Sequence, residues 1–569
     1  MEGVVVVVRL LVGFVGIVWG WIAIAGLSDV SAQPVPPIAP DLPPLPDRFP
    51  ATDDILDVPD LPSPDVSDPS QLTSDEAIAV REIRVLGNTV FSEEDLAPIL
   101  SSYLGRRVSF EELIALRTAI TDLYVRHGYT TSGAFVPPQD VTEGIVRVQA
   151  VEGRLEAIEI EGLERISDRY VRNRIRRASQ PPLNLSQLEA ALQLLQQDPA
   201  IDTVRAELTA GSAPGLSRLR LTLEEAFPLN GTLWVENRDS PSVGSIRGSV
   251  SLQGNSLLGV GDRLSGELGI TEGVTEGFVD VAIPVNAQNT ELRAFYRRVG
   301  SRVVEDPFDR LDIRSTEEEF RLGVMQPLIE TPNREFAVGA SLGLQRSRTF
   351  IFDDEPFSFS EGPEEGRSNV TALRLTQEWT SRSRYEVLAA RSQLTFGLDL
   401  FDATSNDDAP DGAFFAWLGQ FQWVRSLGGD TLLITRLATQ LSTDELLPIE
   451  QFSIGGPTTV RGYLQNQRVG DSGVVGSVEL RVPVLRDPGG WGTIQLTPFV
   501  DVGTVWNLGS DREVPSPSTL VGTGIGLRWE LSQELSATVT WGIPLVEVSD
   551  RGDSLQADGI YFFIRYNPF

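Results

Sequence analysis

The chain has 569 residues, no cysteine, a single histidine, 52 glycines and a formal net charge of −32. The lack of thiols excludes a disulfide scaffold and cysteine chemistry, and the acidic excess argues against a nucleic-acid partner, since phosphate backbones are bound by positively charged faces. At this length several domains are expected, and all 47 basic residues are arginine.

Residues 4–26 form an apolar run that ends before Val30-Ser31-Ala32. That arrangement reads as a signal peptide over residues 1–32, cleaved after Ala32; the competing reading is an uncleaved anchor, which the length of the run allows. Residues 33–79 are dense in proline and aspartate, as in Pro34-Val35-Pro36-Pro37. Such a segment cannot bury a core of its own and is expected to be an extended, semi-rigid linker.

Two similar units follow, at 80–153 and 154–226. Each opens on an alternating strand before a glycine turn, Glu82-Ile83-Arg84-Val85-Leu86 before Gly87 and Ala157-Ile158-Glu159-Ile160-Glu161 before Gly162. Each then reads as two helices. In the first unit Ser92 with Asp95 and Ser109 with Glu112 have capping-box spacing, and Leu113, Leu116, Ile120, Leu123 and Tyr124 line one helical face. In the second, Asn184 and Gln187 start a helix with Leu188, Ala191, Leu192 and Leu195 inward. Two further strands close each unit, giving the order β-α-α-β-β twice.

From 227 to 569 the pattern changes to long alternating segments separated by short turns and longer polar loops, the signature of an outer-membrane barrel. About sixteen such segments can be counted, and an even number returns the C-terminus to the side where the two units lie. Because successive strand residues face opposite ways, Ile494, Leu496, Val500 and Val502 point to lipid, while Thr497, Phe499, Asp501 and Gly503 point to the lumen. On the next segment Gly522, Gly524 and Gly526 form an inward glycine stripe that leaves room for something inside. The last segment alternates Ile560, Phe562, Ile564 and Tyr566, and the chain ends on Phe569, an aromatic assembly signal one residue out of step with that face.

The longest late loop, about 443–471, carries Val460-Arg461-Gly462-Tyr463, and about forty residues later comes Phe499-Val500-Asp501-Val502-Gly503. Together with Ala134-Phe135-Val136-Pro137-Pro138-Gln139-Asp140 and Val151-Glu152-Gly153 in the first unit, these motifs resemble the two-partner secretion transporters, also called haemolysin secretion/activation proteins. The resemblance implies two α+β periplasmic POTRA modules followed by a sixteen-stranded antiparallel transmembrane β-barrel. It also implies that the loop folds back into the lumen, where Arg461 meets Asp501. An arginine drawn out of water needs a carboxylate in fork geometry, and Gly462 lets the backbone approach closely. Two roles stay open for the pair: participation in a transport cycle, or pinning the loop so that the barrel assembles.

The function so implied is export of an unfolded exoprotein, recognised by its N-terminal secretion domain at the POTRA modules. A sheet edge beside a helix is a natural place for an extended peptide to add a strand. Other expected partners are outer-membrane lipid and the barrel assembly machinery. An outer-membrane protein insertase is the alternative, although such proteins usually carry more modules. No cofactor, metal or catalytic residue is expected: the single histidine, His127, falls at a helix end in the first unit, and the glycines at 522–526 lie in a strand pattern with no helix behind them to cradle phosphate.

Overall fold

The computed structural model describes residues 56–57 and 77–568, apart from 142, 353, 408, 488, 510–513, 515 and 550–551. The expected signal peptide, most of the expected linker and Phe569 lie outside the described residues. None of the described helices is long and apolar enough to cross a membrane; the crossing is made by strands.

In the first unit Glu82–Leu86 runs parallel to Ile145–Val151, which pairs antiparallel with Gly133–Phe135 on its other edge. Helices Glu93–Leu100 and Phe110–Arg126 pack on this sheet, and each begins with a complete capping box, Ser92 with Asp95 and Ser109 with Glu112. Their reciprocal bonds satisfy amides that a helix start otherwise leaves without partners. Leu113, Leu116, Ile120 and Tyr124 are buried against Val146 and Val148, as the 3.6-residue and two-residue periods require. A further two-stranded sheet pairs Ile78–Val80 with Arg106–Val108, so the end of the segment expected to be linker belongs to a strand of the first unit.

The second unit follows the same order through Arg154–Glu161, Asp168–Ala178, Leu185–Gln196, Ile201–Ala210 and Leu216–Glu225. Val171, Ile175, Leu188, Leu192 and Leu195 from its helices close over Leu208, Leu219 and Leu221 of its sheet. That sheet gains a fourth, short strand from far upstream. Leu56–Asp57 lies parallel to Ile201–Ala210, with Leu56 opposite Ala206 and packed on the core. The proline-rich stretch is therefore more than a spacer at this point, because one apolar residue is enough to seat two residues on an open edge.

The barrel consists of sixteen long antiparallel strands, from Leu229–Glu236 to Ile560–Tyr566, closed where Leu233 pairs with Tyr566 and Glu236 with Phe563. A two-residue strand, Glu355–Pro356, adds to one extracellular hairpin. The two-residue alternation holds through the wall: Val500 and Val502 are about half exposed, whereas Asp501 is wholly buried and Phe499 nearly so. The second module sits on the periplasmic rim, where Ser167 N donates to Gly259 O at 2.8 Å and Arg174 bonds Asn289. Between its helices and the rim opens a cavity of about 770 Å³, lined by Tyr170, Leu194, Arg293 and Glu335 among others.

Candidate functional site

Between strands Thr431–Ser442 and Ser472–Asp487 the chain leaves the wall and turns back into the barrel. The first part of this loop is apolar: Leu446, Leu447 and Ile449 are buried against Val370, Ala372, Phe414 and Ala416 of the wall. Phe452–Ile454 then pairs with Arg468–Gly470 to make a short stem. Asp471 closes the stem from a fully buried position, accepting from Leu446 N at 3.1 Å, Leu508 N at 2.9 Å and Gln451 Nε2 at 2.9 Å. The buried carboxylate thus finds donors on both sides of the loop base, as a charge out of water must.

At the tip, Arg461 Nε donates to Asp501 Oδ2 at 2.8 Å and Nη2 to Asp501 Oδ1 at 2.9 Å. This is a two-pronged arginine–carboxylate fork, the strongest common form of charged hydrogen bond. A third prong, Nη1, reaches Glu479 Oε2 at 2.6 Å, and Nη2 also reaches Ser477 Oγ at 3.2 Å. The backbone N–H of Arg461 adds a bond to Asp501 Oδ2 at 3.0 Å. Glu479 is shared with Arg481 at 3.2 Å, so two arginines face two carboxylates and the cluster is neutral. The guanidinium carbon also lies 3.5 Å from the centroid of the Phe499 ring, the geometry of a cation over an aromatic face.

The backbone of the tip lies directly on the wall. A Cβ at Gly522 would stand 1.9 Å from the carbonyl oxygen of Arg461, and one at Gly503 would stand 2.9 Å from Val460. Gly524 leaves space for the Phe499 ring and Gly526 for Thr497 Oγ1. Gly462 takes φ +103°, a conformation that side chains disfavour, and rests against the Gly542–Pro544 backbone. Tyr463 is buried with its hydroxyl 2.8 Å from Val521 O and 2.9 Å from Val546 O.

The structure therefore brings together Val460, Arg461, Gly462, Tyr463, Phe499, Asp501, Gly503, Gly522 and Gly524, while Gly526 lies further along the same stripe. Several members of the site had not been singled out in the sequence. Glu479 and Ser477 complete the arginine cage; their spacing, two residues apart on one strand, marks them as facing inward but not as meeting Arg461. Tyr561 donates its hydroxyl to Tyr463 O at 2.6 Å and accepts from Gly462 N at 2.8 Å. On another part of the wall, Glu450 of the loop accepts from Arg374 Nη2 at 2.6 Å.

A lumen loop held at its tip by an arginine on a wall aspartate is the arrangement the motifs had led one to expect, and comparison with known proteins gives it a family. The model for the haemolysin secretion/activation protein family ShlB/FhaC/HecB matches residues 215–529, and that for the ShlB-type POTRA domain matches residues 78–153. The chain belongs to the haemolysin secretion/activation protein family. Among relatives, the outer membrane transporter CdiB of Escherichia coli O6:K15:H31 (strain 536 / UPEC) is 25% identical over 509 residues, covering 85% of this chain and 81% of that protein. The heme/hemopexin transporter protein HuxB of Haemophilus influenzae (strain 86-028NP) is 26% identical over 181 residues, 31% of each chain. The solved structure of CdiB from Escherichia coli superposes with TM-score 0.69 at 24% identity, covering 89% of this chain and 93% of that one. BamA from Haemophilus ducreyi lacking POTRA domains 1–3 gives 0.51 at 14% identity, covering 86% of this chain and all of that one, a likeness of fold alone. As a family member the chain is an outer-membrane transporter with its POTRA region in the periplasm.

Proposed function

We propose that the chain exports a secreted exoprotein in extended form: the POTRA modules bind its N-terminal secretion domain, and the 443–471 loop leaves the lumen to let it pass. The reading rests on one observation above all, that the tip of a loop lying inside the barrel is fixed to the wall by side-chain and backbone contacts separate from the strand pairing that closes the wall. Arg461, Asp501 and Glu479 hold the closed arrangement, and Gly462 with the Gly522–Gly526 stripe gives it room. Folding of the cargo outside, which buries apolar surface and makes return unfavourable, drives net movement. The barrel reaches the membrane through the assembly machinery and is surrounded there by outer-membrane lipid.

Arg461→Ala tests this. Expected is loss of the exoprotein whose presence in the medium depends on this chain, while the variant still inserts and keeps the heat-modifiable gel mobility of a folded barrel. Secretion at the wild-type level from a folded variant overturns the gating role, and loss of the folded barrel assigns the pair to assembly instead. An insertase differs in its readout: deleting this chain then depletes other barrels from the outer membrane and leaves the medium unchanged.

A further inference from the structure

The outer face of the barrel carries a group of arginines that the export reading does not use. Strand Arg334–Ile351 rises toward the cell exterior, and its outward positions read Phe336, Val338, Ala340, Leu342 and Leu344, followed by Arg346 and Arg348. The apolar positions span nine residues, the length a tilted strand needs to cross the hydrocarbon layer. Arg346 and Arg348 thus stand at the level where acyl chains give way to headgroups. Both are exposed, and they alternate with the buried lumen residues Gln345, Ser347 and Thr349.

The next strand, Arg367–Arg382, places Arg367 directly opposite Arg348, also exposed. On the other side Arg346 pairs with Glu318, and Glu318 with Arg298. Glu318 lies 3.7 Å from Arg298, with both side chains 43% exposed. Arg346, Arg348 and Arg367 form no side-chain ion pair among the described residues. Two like charges directly across a sheet destabilise it, and the carboxylates that the ladders place beside them, Glu318 next to Arg346 and Glu364 next to Arg367, form no ion pair with Arg346, Arg348 or Arg367, although the chain as a whole carries a net charge of −32. Guanidinium forks match phosphate oxygens in geometry and charge. A phosphate group between Arg348 and Arg367 would remove their repulsion, with Arg346 next along the same strand.

We propose that Arg346, Arg348 and Arg367 form a binding site for the phosphate groups of an outer-leaflet glycolipid. The site lies flush with the apolar band, so the occupant enters from the membrane with its acyl chains against Leu342, Leu344, Phe320 and Leu322. The inference rests on the outer-membrane location and is independent of what the barrel exports.

The test titrates the full-length purified protein in micelles with three probes, diphosphorylated lipid A, its dephosphorylated form and inorganic phosphate, and reads the thermal unfolding midpoint. Expected is a rise of several degrees with the diphosphorylated lipid and none with the other two. Arg348→Gln/Arg367→Gln should weaken that response by about tenfold in lipid concentration, Arg348→Lys/Arg367→Lys by less, because lysine keeps the charge and loses the fork. Arg346→Gln alone serves if the double variant does not fold, and Arg310→Gln, a loop arginine 78% exposed, should titrate as wild type. Equal curves for wild type and the Gln variants overturn the proposal, as does an undiminished response to the dephosphorylated lipid or to inorganic phosphate.

Discussion

The guanidinium of Arg461 meets two carboxylates, a hydroxyl and a ring face, and its partners do not matter equally. Asp501 is wholly buried and takes the fork and a backbone bond, whereas Glu479 has Arg481 as a second partner. Removing one member of a buried pair strands the other charge, at a cost of about 3–5 kcal/mol. Arg461→Ala and Asp501→Asn should therefore each lower stability by that order, Glu479→Gln by clearly less, and Arg461→Ala/Asp501→Ala by less than the sum of its single changes. Urea unfolding of the protein in lipid vesicles, followed by tryptophan fluorescence, measures all four, and additive losses would refute the coupling. The second ionic contact of the loop, Glu450 with Arg374, is equally shielded, with side chains 11% and 10% exposed. Glu450→Arg and Arg374→Glu should each raise single-channel conductance, and the two together should bring it back down. Absence of that rescue means the contact does not hold the loop.

At the scale of elements, the end of strand Leu216–Glu225, where the second module leads into the barrel, is tied back to the turn before helix Asp168–Ala178. Glu225 accepts from the backbone N–H groups of Glu164 and Arg165 at 2.9 Å each and of Ile166 at 2.7 Å. Burial works to raise its pKa, but these amides and Arg165 outweigh it and hold the carboxyl below the ordinary value of 4.5. A lowered folded pKa means that the bonds contribute fully above the unfolded value and are lost as pH falls through the folded one. Hydrogen exchange at residues 164–166, corrected for intrinsic rates, should accelerate on acidification below about pH 4, and in Glu225→Gln should be fast and flat with pH. Such elements were largely legible beforehand. Capping boxes at Ser92 and Ser109 and the strict alternation at 493–505 mark where helices start and which way strands face. Leu56–Asp57 was not legible, because two residues among prolines carry no period and only the open edge of a distant strand gives them a partner. Nor were Glu479, Tyr561 and Arg374: a barrel lumen makes every second residue polar, so the pattern shows which residues face inward without showing which of them meet.

For the whole molecule, the question is what holds the loop inside a wide barrel. The loop is braced from two parts of the wall. Its apolar base and Glu450 hold to the strands around Val370, Ala372 and Arg374, and its tip holds to Asp501, Glu479 and Tyr561. Charge alone does not set the fit, because the tip backbone occupies space that the wall leaves only by lacking side chains. Gly522→Ala isolates this steric term. The added methyl would lie 1.9 Å from the Arg461 carbonyl oxygen, with wall and loop backbone on either side, so the tip must move although every charged partner remains. Conductance in planar bilayers should rise well above wild type, toward that of a barrel lacking residues 448–465. Gly526→Ala should change it less, since its methyl would meet the movable Thr497 hydroxyl instead of the loop. Wild-type conductance in Gly522→Ala would show that contact between tip and stripe does not keep the path closed, and would leave the ion pairs to do so.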